Sequence, residues 1–472
     1  MSERVDVVLP SHEDQVVRGL SEVIGGPPGD HARIGGPRFW TPIRVLLALA
    51  LVMLSAGWLQ KAPCRNQPWA NGFQYSHACY SDVTALYFAE HLDQGKVPYR
   101  DHDVEYPVLT GALMGVIGLE VHHMNPMNPG RWFFDLTALV LGLCGVIAVW
   151  ATARTHRRRP YDAALLAFAP AMLVTAFVNW DLLAVALTAG AMLAWARRHP
   201  WWAGVLFGLA TAAKFYPLFL LGPLFLLCLR AGKLNHFLRT FVAAAAAWAA
   251  VNIPVEMWAP HGWKTFFRLS ETRGSDWGTI WYWLEHYPGQ KPFDKVAAGQ
   301  APDTLNTLVA IALVAACIAI AGLILFAPRR PRYPQVAFLV LAAFLLTGKV
   351  WSQQYVLWLI PLAALARPRW PAFLAWQATE LAYFGSFYLM LLGFTKNKEY
   401  LGNNMLLLTS AARWAGVLLL CGLVVREILR PEKDVVRRDG ADDPAGGVLD
   451  GAPDRLWREY EQDDEEFATS TA

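Results

Sequence analysis

WFFDLTALVLGLCGVIAVWATARTHRRR, residues 132–159, sets the topology of everything around it. Its apolar part, Trp132 to Ala153, is long enough to span a hydrocarbon core of about 30 Å at roughly 1.5 Å per residue. It ends in Arg154, His156, Arg157, Arg158 and Arg159, the densest basic cluster in the chain. Loops rich in Lys and Arg stay in the cytoplasm, so this run is expected to travel from outside to inside. Upstream, Arg33, Arg38 and Arg44 flank the first apolar run, Ile43 to Leu59, and place its start inside. Residues 60–131 are therefore read as a long outer segment. Val108 to Val121, apolar but short, is expected to lie in the interface without crossing.

Downstream the same parity holds. Tyr161–Phe177 goes out and Leu182–Ala196 returns to Arg197 and Arg198. Trp202–Ala213 goes out and Tyr216–Leu229 returns to Arg230 and Lys233. Phe237–Met257 leads to a second outer segment, 258–303, and Thr304–Phe326 returns to Arg329, Arg330 and Arg332. Pro334–Leu346 and Pro371–Leu392 go out. Tyr355–Leu365 and Met405–Val425 come back to Arg367, Arg369, Arg426 and Arg430. The expectation is an all-α polytopic membrane domain over 41–430, with about twelve spans and both termini cytoplasmic. Residues 1–40 are polar and carry no signal-peptide pattern, so they are read as a disordered tail. Residues 431–472 are read as a disordered acidic tail, closing on Glu459 to Glu466.

Composition agrees. The chain is 55% hydrophobic and 17% charged, with a mean hydropathy of +0.28, which excludes an ordinary soluble domain. The net charge is +3, and residues 431–472 hold 13 acids against 5 bases, so the remainder carries +11. A basic membrane body suits anionic lipid headgroups or a phosphate-bearing substrate, and nothing in it points to nucleic acid. Cys144, Cys228, Cys317 and Cys421 lie in apolar runs and read as small core residues. Cys64 and Cys79 share the first outer segment and can pair if it faces an oxidising space.

Chemistry concentrates in Tyr80–Pro107, YSDVTALYFAEHLDQGKVPYRDHDVEYP, which holds Asp82, Glu90, Asp93, Asp101, Asp103 and Glu105. Tyr80, Tyr87, Phe88, Tyr99 and Tyr106 in the same stretch could line a sugar or lipid groove. Ionised residues are costly in a bilayer and usually carry a role or a partner. Those retained here fall at the outer helix ends: Asn179-Trp180-Asp181, Lys214-Phe215-Tyr216-Pro217, Arg273 with Asp276, and Lys349 through Gln353, Gln354 and Tyr355. Plainer readings compete. Asp181 could pair with Lys214 as a structural ion pair, and Lys349 could snorkel to headgroups. Trp281 and Trp283 fit an interfacial belt, as do His122, His123, His261 and His286, whose spacing matches no metal site. Asp101 and Asp103 could hold a divalent cation or acceptor hydroxyls. No cofactor motif is present. Carboxylates on one wall and cations on another are what transfer of a group from a lipid phosphate to a hydroxyl requires.

Several pieces together resemble a known family: Tyr80-Ser81-Asp82, Gly95-x-x-Pro98-Tyr99, Tyr106-Pro107, Asn179-Trp180-Asp181, Ala203 through Lys214-Phe215-Tyr216-Pro217, and Ser352-Gln353-Gln354-Tyr355 through Pro361. In order and placement they are similar to the GT-C superfamily of membrane glycosyltransferases. The nearest likeness is family 87, the polyprenyl-phosphate-mannose-dependent mannosyltransferases of actinobacteria. The likeness runs over roughly residues 43–428. Gln353 departs from it, since many members have proline there. The resemblance implies an inverting enzyme of the extracytoplasmic face, with Asp82 as catalytic base. Lys214, Arg273 and Lys349 would then hold the donor phosphate. Asn179, Asp181, Gln353, Gln354 and Tyr355 would contact sugar or phosphate, and Asp101, Asp103, Glu105, Tyr106 and Asp276 would complete the substrate site. The implied partners are a polyprenyl-phosphate sugar, membrane lipids, and a glycolipid, glycan or protein acceptor. A pentose (arabinofuranosyl) transferase has the same requirements. A lipid or sugar transporter would be expected to show mid-span charges and an internal repeat, and neither is visible.

Overall fold

The computed structural model describes residues 7–10, 13–25, 39–66, 69–287, 289–295, 297, 299–438 and 440–455. Among them it is all-helical, with no β-strand beyond an isolated bridge between Pro98 and His102. Among the described residues five helices are long and apolar enough to cross a bilayer: Pro42–Gln60, Pro129–Thr155, Leu234–Trp258, Asp303–Phe326 and Asn403–Leu429. Their ends follow from sequence. The Thr41 hydroxyl accepts from the Arg44 amide at 3.3 Å, with Pro42 in the first turn. Asn128 caps the next long helix in the same way, accepting from the Arg131 amide at 3.1 Å.

Between them lie shorter apolar helices: Val108–Met124, Asp181–Ala196, Pro200–Ala213, Tyr216–Arg230, Tyr333–Thr347 and Gln353–Ala366. Helices of 14–17 residues rise only about 21–26 Å, less than a hydrocarbon core. Their polar ends consequently meet inside the bundle. Trp370–Lys396 is also long, but Gln377 and Glu380 in its middle are buried on protein. Pro200–Ala213 packs closely on Leu234–Trp258 because Gly204 and Gly208 face the carbonyls of Thr240 and Ala244; a Cβ at either glycine would collide with backbone.

One expected span is not a continuous helix. Tyr161–Phe177 forms a 3₁₀ turn, Pro160–Ala163, and two short helices, Ala164–Ala167 and Pro170–Thr175. Pro170 has no amide hydrogen and forces Ala169 into extended backbone (ψ 120°), so the helix breaks there. The broken backbone survives because Leu165, Leu166, Ala167 and Met172 are buried in protein.

The expected tails also differ in part. Gln15–Gly25 is helical, and Asp14 ahead of it accepts from the amides of Val16 (3.0 Å) and Trp370 (2.9 Å). Residues 1–6, 11, 12 and 26–38 of that tail lie outside the described residues. Between Pro431 and Arg455 the acidic segment is packed against the helix ends. Asp434 pairs with Arg332 at 2.7 Å, both 1% exposed, and Asp454 with Arg230 at 2.6 Å. Arg332 and Arg230 also donate to the carbonyls of Leu365, Ala366, Ile324 and Ala327. Acidic composition suggested solvation; these aspartates instead neutralise arginines that cap helix C-termini. Residues 439 and 456–472 are outside the described set. The basic clusters thus meet at one end of the bundle, where Arg197 reaches the Arg154 carbonyl and Arg367 reaches Glu427. The polar breaks meet at the other.

Candidate active site

Asp82 opens the helix Asp82–Ala89 and is held from below. Its amide donates to the Val178 carbonyl at 2.7 Å. The preceding Ser81 hydroxyl donates to Phe177 at 2.6 Å and caps the Val83 amide at 3.2 Å. These ties press the start of the Tyr80–Pro107 stretch against the turn Val178-Asn179-Trp180. There the Asn179 side-chain amide donates to Asp82 Oδ2 and to the Tyr106 hydroxyl, each at 2.7 Å. Asp82 is half-buried, and burial pushes its carboxyl above the usual carboxylate range, with Glu105 adding to the rise. Hydrogen bonds from Tyr80 and Asn179 and the charge of Lys214 oppose it.

Lys214 follows the Pro200–Ala213 helix and stands 4.9 Å from the Tyr106 ring, 5.6 Å from Tyr355 and 6.0 Å from Trp358. Its ammonium lies 3.4 Å from Asp181. Asp181 is fully buried and accepts from the Trp358 indole at 2.7 Å. The plainer reading of the sequence, an ion pair between Asp181 and Lys214, is thus formed here with the carboxylate on the buried side of the lysine. Trp358 is sandwiched by Tyr355 (3.8 Å) and Tyr216 (4.5 Å). Asp82, Asn179, Tyr106, Lys214 and Tyr355 thus form one connected group, drawn from four separate parts of the chain.

A second group adjoins it at Tyr355. The Asp276 amide donates to the Lys349 carbonyl at 2.8 Å, and Lys349 Nζ donates to the Glu271 carbonyl at 3.0 Å and to Asn306. Burial pushes the Lys349 amine down to about 8, with Arg273 adding to the fall. Burial raises the Asp276 carboxyl while Arg273 opposes it, and Arg273 itself is exposed. Lys349 is therefore engaged by Glu271 and Asn306 and does not snorkel away from them. Gln353 and Gln354 are buried in the 3₁₀ turn Gln353–Tyr355.

Asp101 and Asp103 are engaged separately. Asp101 pairs with Arg100 at 2.7 Å and accepts from the Val97 amide, which hold its carboxyl at about 2. Asp103 pairs with Arg268 at 3.1 Å. Both are exposed and turned to different partners, so they stand as a loop clamp and not as a pair. Glu105, also exposed, faces Asp82 closely enough to raise it. Cys64 and Cys79 are joined by a disulfide, with Cα atoms 5.7 Å apart.

Sequence reasoning missed Lys61. It follows the first span, is 1% exposed and donates to the Tyr80 carbonyl at 3.1 Å. Burial lowers its amine to about 7, and nearby Asp82 opposes the fall. A lysine closing an apolar run looks like any interfacial lysine, so no signal distinguished it. Glu380 and Arg413 were missed too. They pair at 2.7 Å, and Arg413 donates to the carbonyls of Trp351 and Ser352, fixing the turn that carries Gln353 to Tyr355. The signal was available: two opposite charges inside long apolar helices require each other.

An all-helical membrane protein whose carboxylate, amide and lysine converge where helices break has the constitution of a membrane-embedded enzyme. Residues 106–351, a little over half of the chain, match the family model for glycosyltransferase family 87, and the chain belongs to that family. The match takes in Tyr106, Asn179, Lys214, Arg273, Asp276 and Lys349; Asp82 lies 24 residues before its start and Tyr355 four after its end. No curated protein matches the chain.

Proposed function

We propose that this glycosyltransferase moves mannose, with inversion, from a polyprenyl-phosphate carrier to an acceptor hydroxyl. In this reading the site faces the extracytoplasmic side of about twelve crossings, with both termini inside. The observation that supports it most is the placement of Asp82: a half-buried carboxylate whose Oδ2 is held at 2.7 Å by Asn179, beside the half-buried ammonium of Lys214.

Asp82 takes the proton of the acceptor hydroxyl as its oxygen attacks the anomeric carbon. The bond from that carbon to the phosphate oxygen breaks through an oxocarbenium-like state. The carrier leaves as a phosphate monoester with one more negative charge, so it needs cations and no proton. Lys214 stands deepest and supplies that charge first, with Arg273 and Lys349 at the rim. Tyr106 and Asn179 fix the base, and Tyr355 with Trp358 hold the lysine in an aromatic cradle.

The test is transfer from synthetic polyprenyl-phosphate-mannose by purified protein. Asp82→Asn should lose about 10²–10⁴-fold in kcat with its helical circular dichroism intact. EDTA resistance is the expected result. Full activity of Asp82→Asn would remove the base assignment. Turnover of a polyprenyl-phosphate pentose in place of mannose would replace the sugar and keep the reaction.

A further inference from the structure

The basic end of the bundle, away from Asp82, holds a cavity of about 390 Å³, in the size range of small-molecule sites. Its lining includes Glu13, Arg159, Arg367, Arg369, Trp370 and Arg438, brought together from four stretches of the chain. Arg159 stands just ahead of the 3₁₀ turn Pro160–Ala163. Pro368 separates Arg367 from Arg369, and the Arg369 amide donates to the Arg367 carbonyl at 2.8 Å, so both guanidinium groups leave one tight turn. Asp14 accepts from the Trp370 amide at 2.9 Å, which brings Glu13 alongside.

The arginines are only partly answered. Arg159, its side chain 4% exposed, places Nε on Asp162 at 3.0 Å and Nη2 on Glu13 at 2.8 Å, and its buried Nη1 has no acceptor among the described residues. Arg367 and Arg369 share one carboxylate, Glu427, at 3.0 and 3.6 Å. The buried Arg367 Nη1 and Arg369 Nε also have no hydrogen-bond acceptor among those residues. Burial holds the Arg367 guanidinium below its ordinary value; Glu427 opposes the fall and Arg369 deepens it. Arg438 adds an exposed fourth charge. Asp14 and Asp162 line the cavity too, but Asp14 is held by the amides of Val16 and Trp370 and Asp162 by Arg159.

We infer that this cavity binds a terminal phosphate, as inorganic phosphate or as the monoester headgroup of a lipid, with Arg159, Arg367 and Arg369 as its donors. Water would satisfy the N–H groups and leave the crowded charges unrelieved; a multiply charged anion does both. A terminal phosphate carries roughly two negative charges and three acceptor oxygens, which suits several guanidinium donors at once. A phosphodiester, as in an ordinary phospholipid, carries less charge and fewer free oxygens. Glu13 holds one edge of Arg159, so the N-terminal segment that bears it competes with the ligand. The site lies apart from Asp82 and Lys214 and does not depend on the proposed transfer.

The experiment is binding to the full chain in detergent. Radiolabelled inorganic phosphate is followed by equilibrium dialysis, and phosphatidic acid and phosphatidylglycerol by native mass spectrometry. A terminal phosphate should bind at one equivalent, and phosphatidylglycerol, the diester, far more weakly. Phosphatidic acid binding without inorganic phosphate identifies a lipid ligand, and inorganic phosphate binding a soluble one; either supports the site. Arg369→Gln should weaken binding about tenfold, the worth of one charged hydrogen bond. Glu13→Gln should tighten it several-fold, because Arg159 loses its rival. Should Arg369→Gln fail to fold, Glu13→Gln decides, since a damaged protein does not bind more tightly. The assignment is overturned if neither inorganic phosphate nor phosphatidic acid binds, if phosphatidylglycerol binds as tightly as phosphatidic acid, or if either folded variant binds like the unmodified protein.

Discussion

Asp82 and Lys61 show two opposite ionisable groups sharing one desolvated corner. Burial raises the carboxyl, which Lys214 opposes, and lowers the amine, which Asp82 opposes. The Tyr80 hydroxyl favours ionised Asp82, so Tyr80→Phe raises its pKa further. If Asp82 is the base, activity falls as it protonates, and the acidic limb of the pH–rate profile should move to higher pH with the stacked ring intact. An unmoved limb would detach Tyr80 from the base. Lys61 gives a stability prediction. Its folded pKa, about 7, lies below its ordinary 10.5, so its contribution is full above pH 10.5 and is lost as pH falls toward 7. The thermal stability of Lys61→Met should therefore gain on the unmodified protein across that range on acidification. Asp82 stood out as a candidate through its acidic, aromatic stretch and the Tyr80-Ser81-Asp82 motif; Lys61 did not, because only the folded chain shows that water has left it.

At the scale of elements, the site depends on short segments being tied together. Ser81 has two tasks, capping Asp82–Ala89 and fastening it to Phe177. Ser81→Ala should cost about 1–2 kcal/mol, read from the melting midpoint, and lower kcat more than it changes donor KM, because the base loses its seat. The sequence made most helices visible through apolar runs and basic ends. It concealed the break in 160–177, because alanine and leucine are at ease in a helix and only Pro170 argued otherwise. The convergence of Asn179 on Asp82, 97 residues apart, could be expected only by placing both at the same helix ends.

For the whole molecule, the basic end is clasped by a segment whose composition had suggested solvent. Composition reports average polarity; it does not report that Asp434 faces Arg332 with both buried. Breaking that pair leaves a charge without its partner. Asp434→Asn should cost about 3–5 kcal/mol, and the double change Asp434→Leu with Arg332→Met should recover most of it. Thermal unfolding in detergent checks both, and an Asp434→Asn midpoint equal to that of the unmodified protein would show the clasp to be idle.

That clasp has a consequence for biosynthesis. Arg230 awaits Asp454, a residue made 224 positions later. Nascent chains must therefore insert their helices while Arg230 and Arg332 still lack their carboxylates, and the basic end closes only after Asp454 has been made. Chaperones and proteases that survey the membrane would meet a half-made protein with its arginines unanswered, so premature termination before Asp434 should be recognised as damage even though every long apolar helix is already in place.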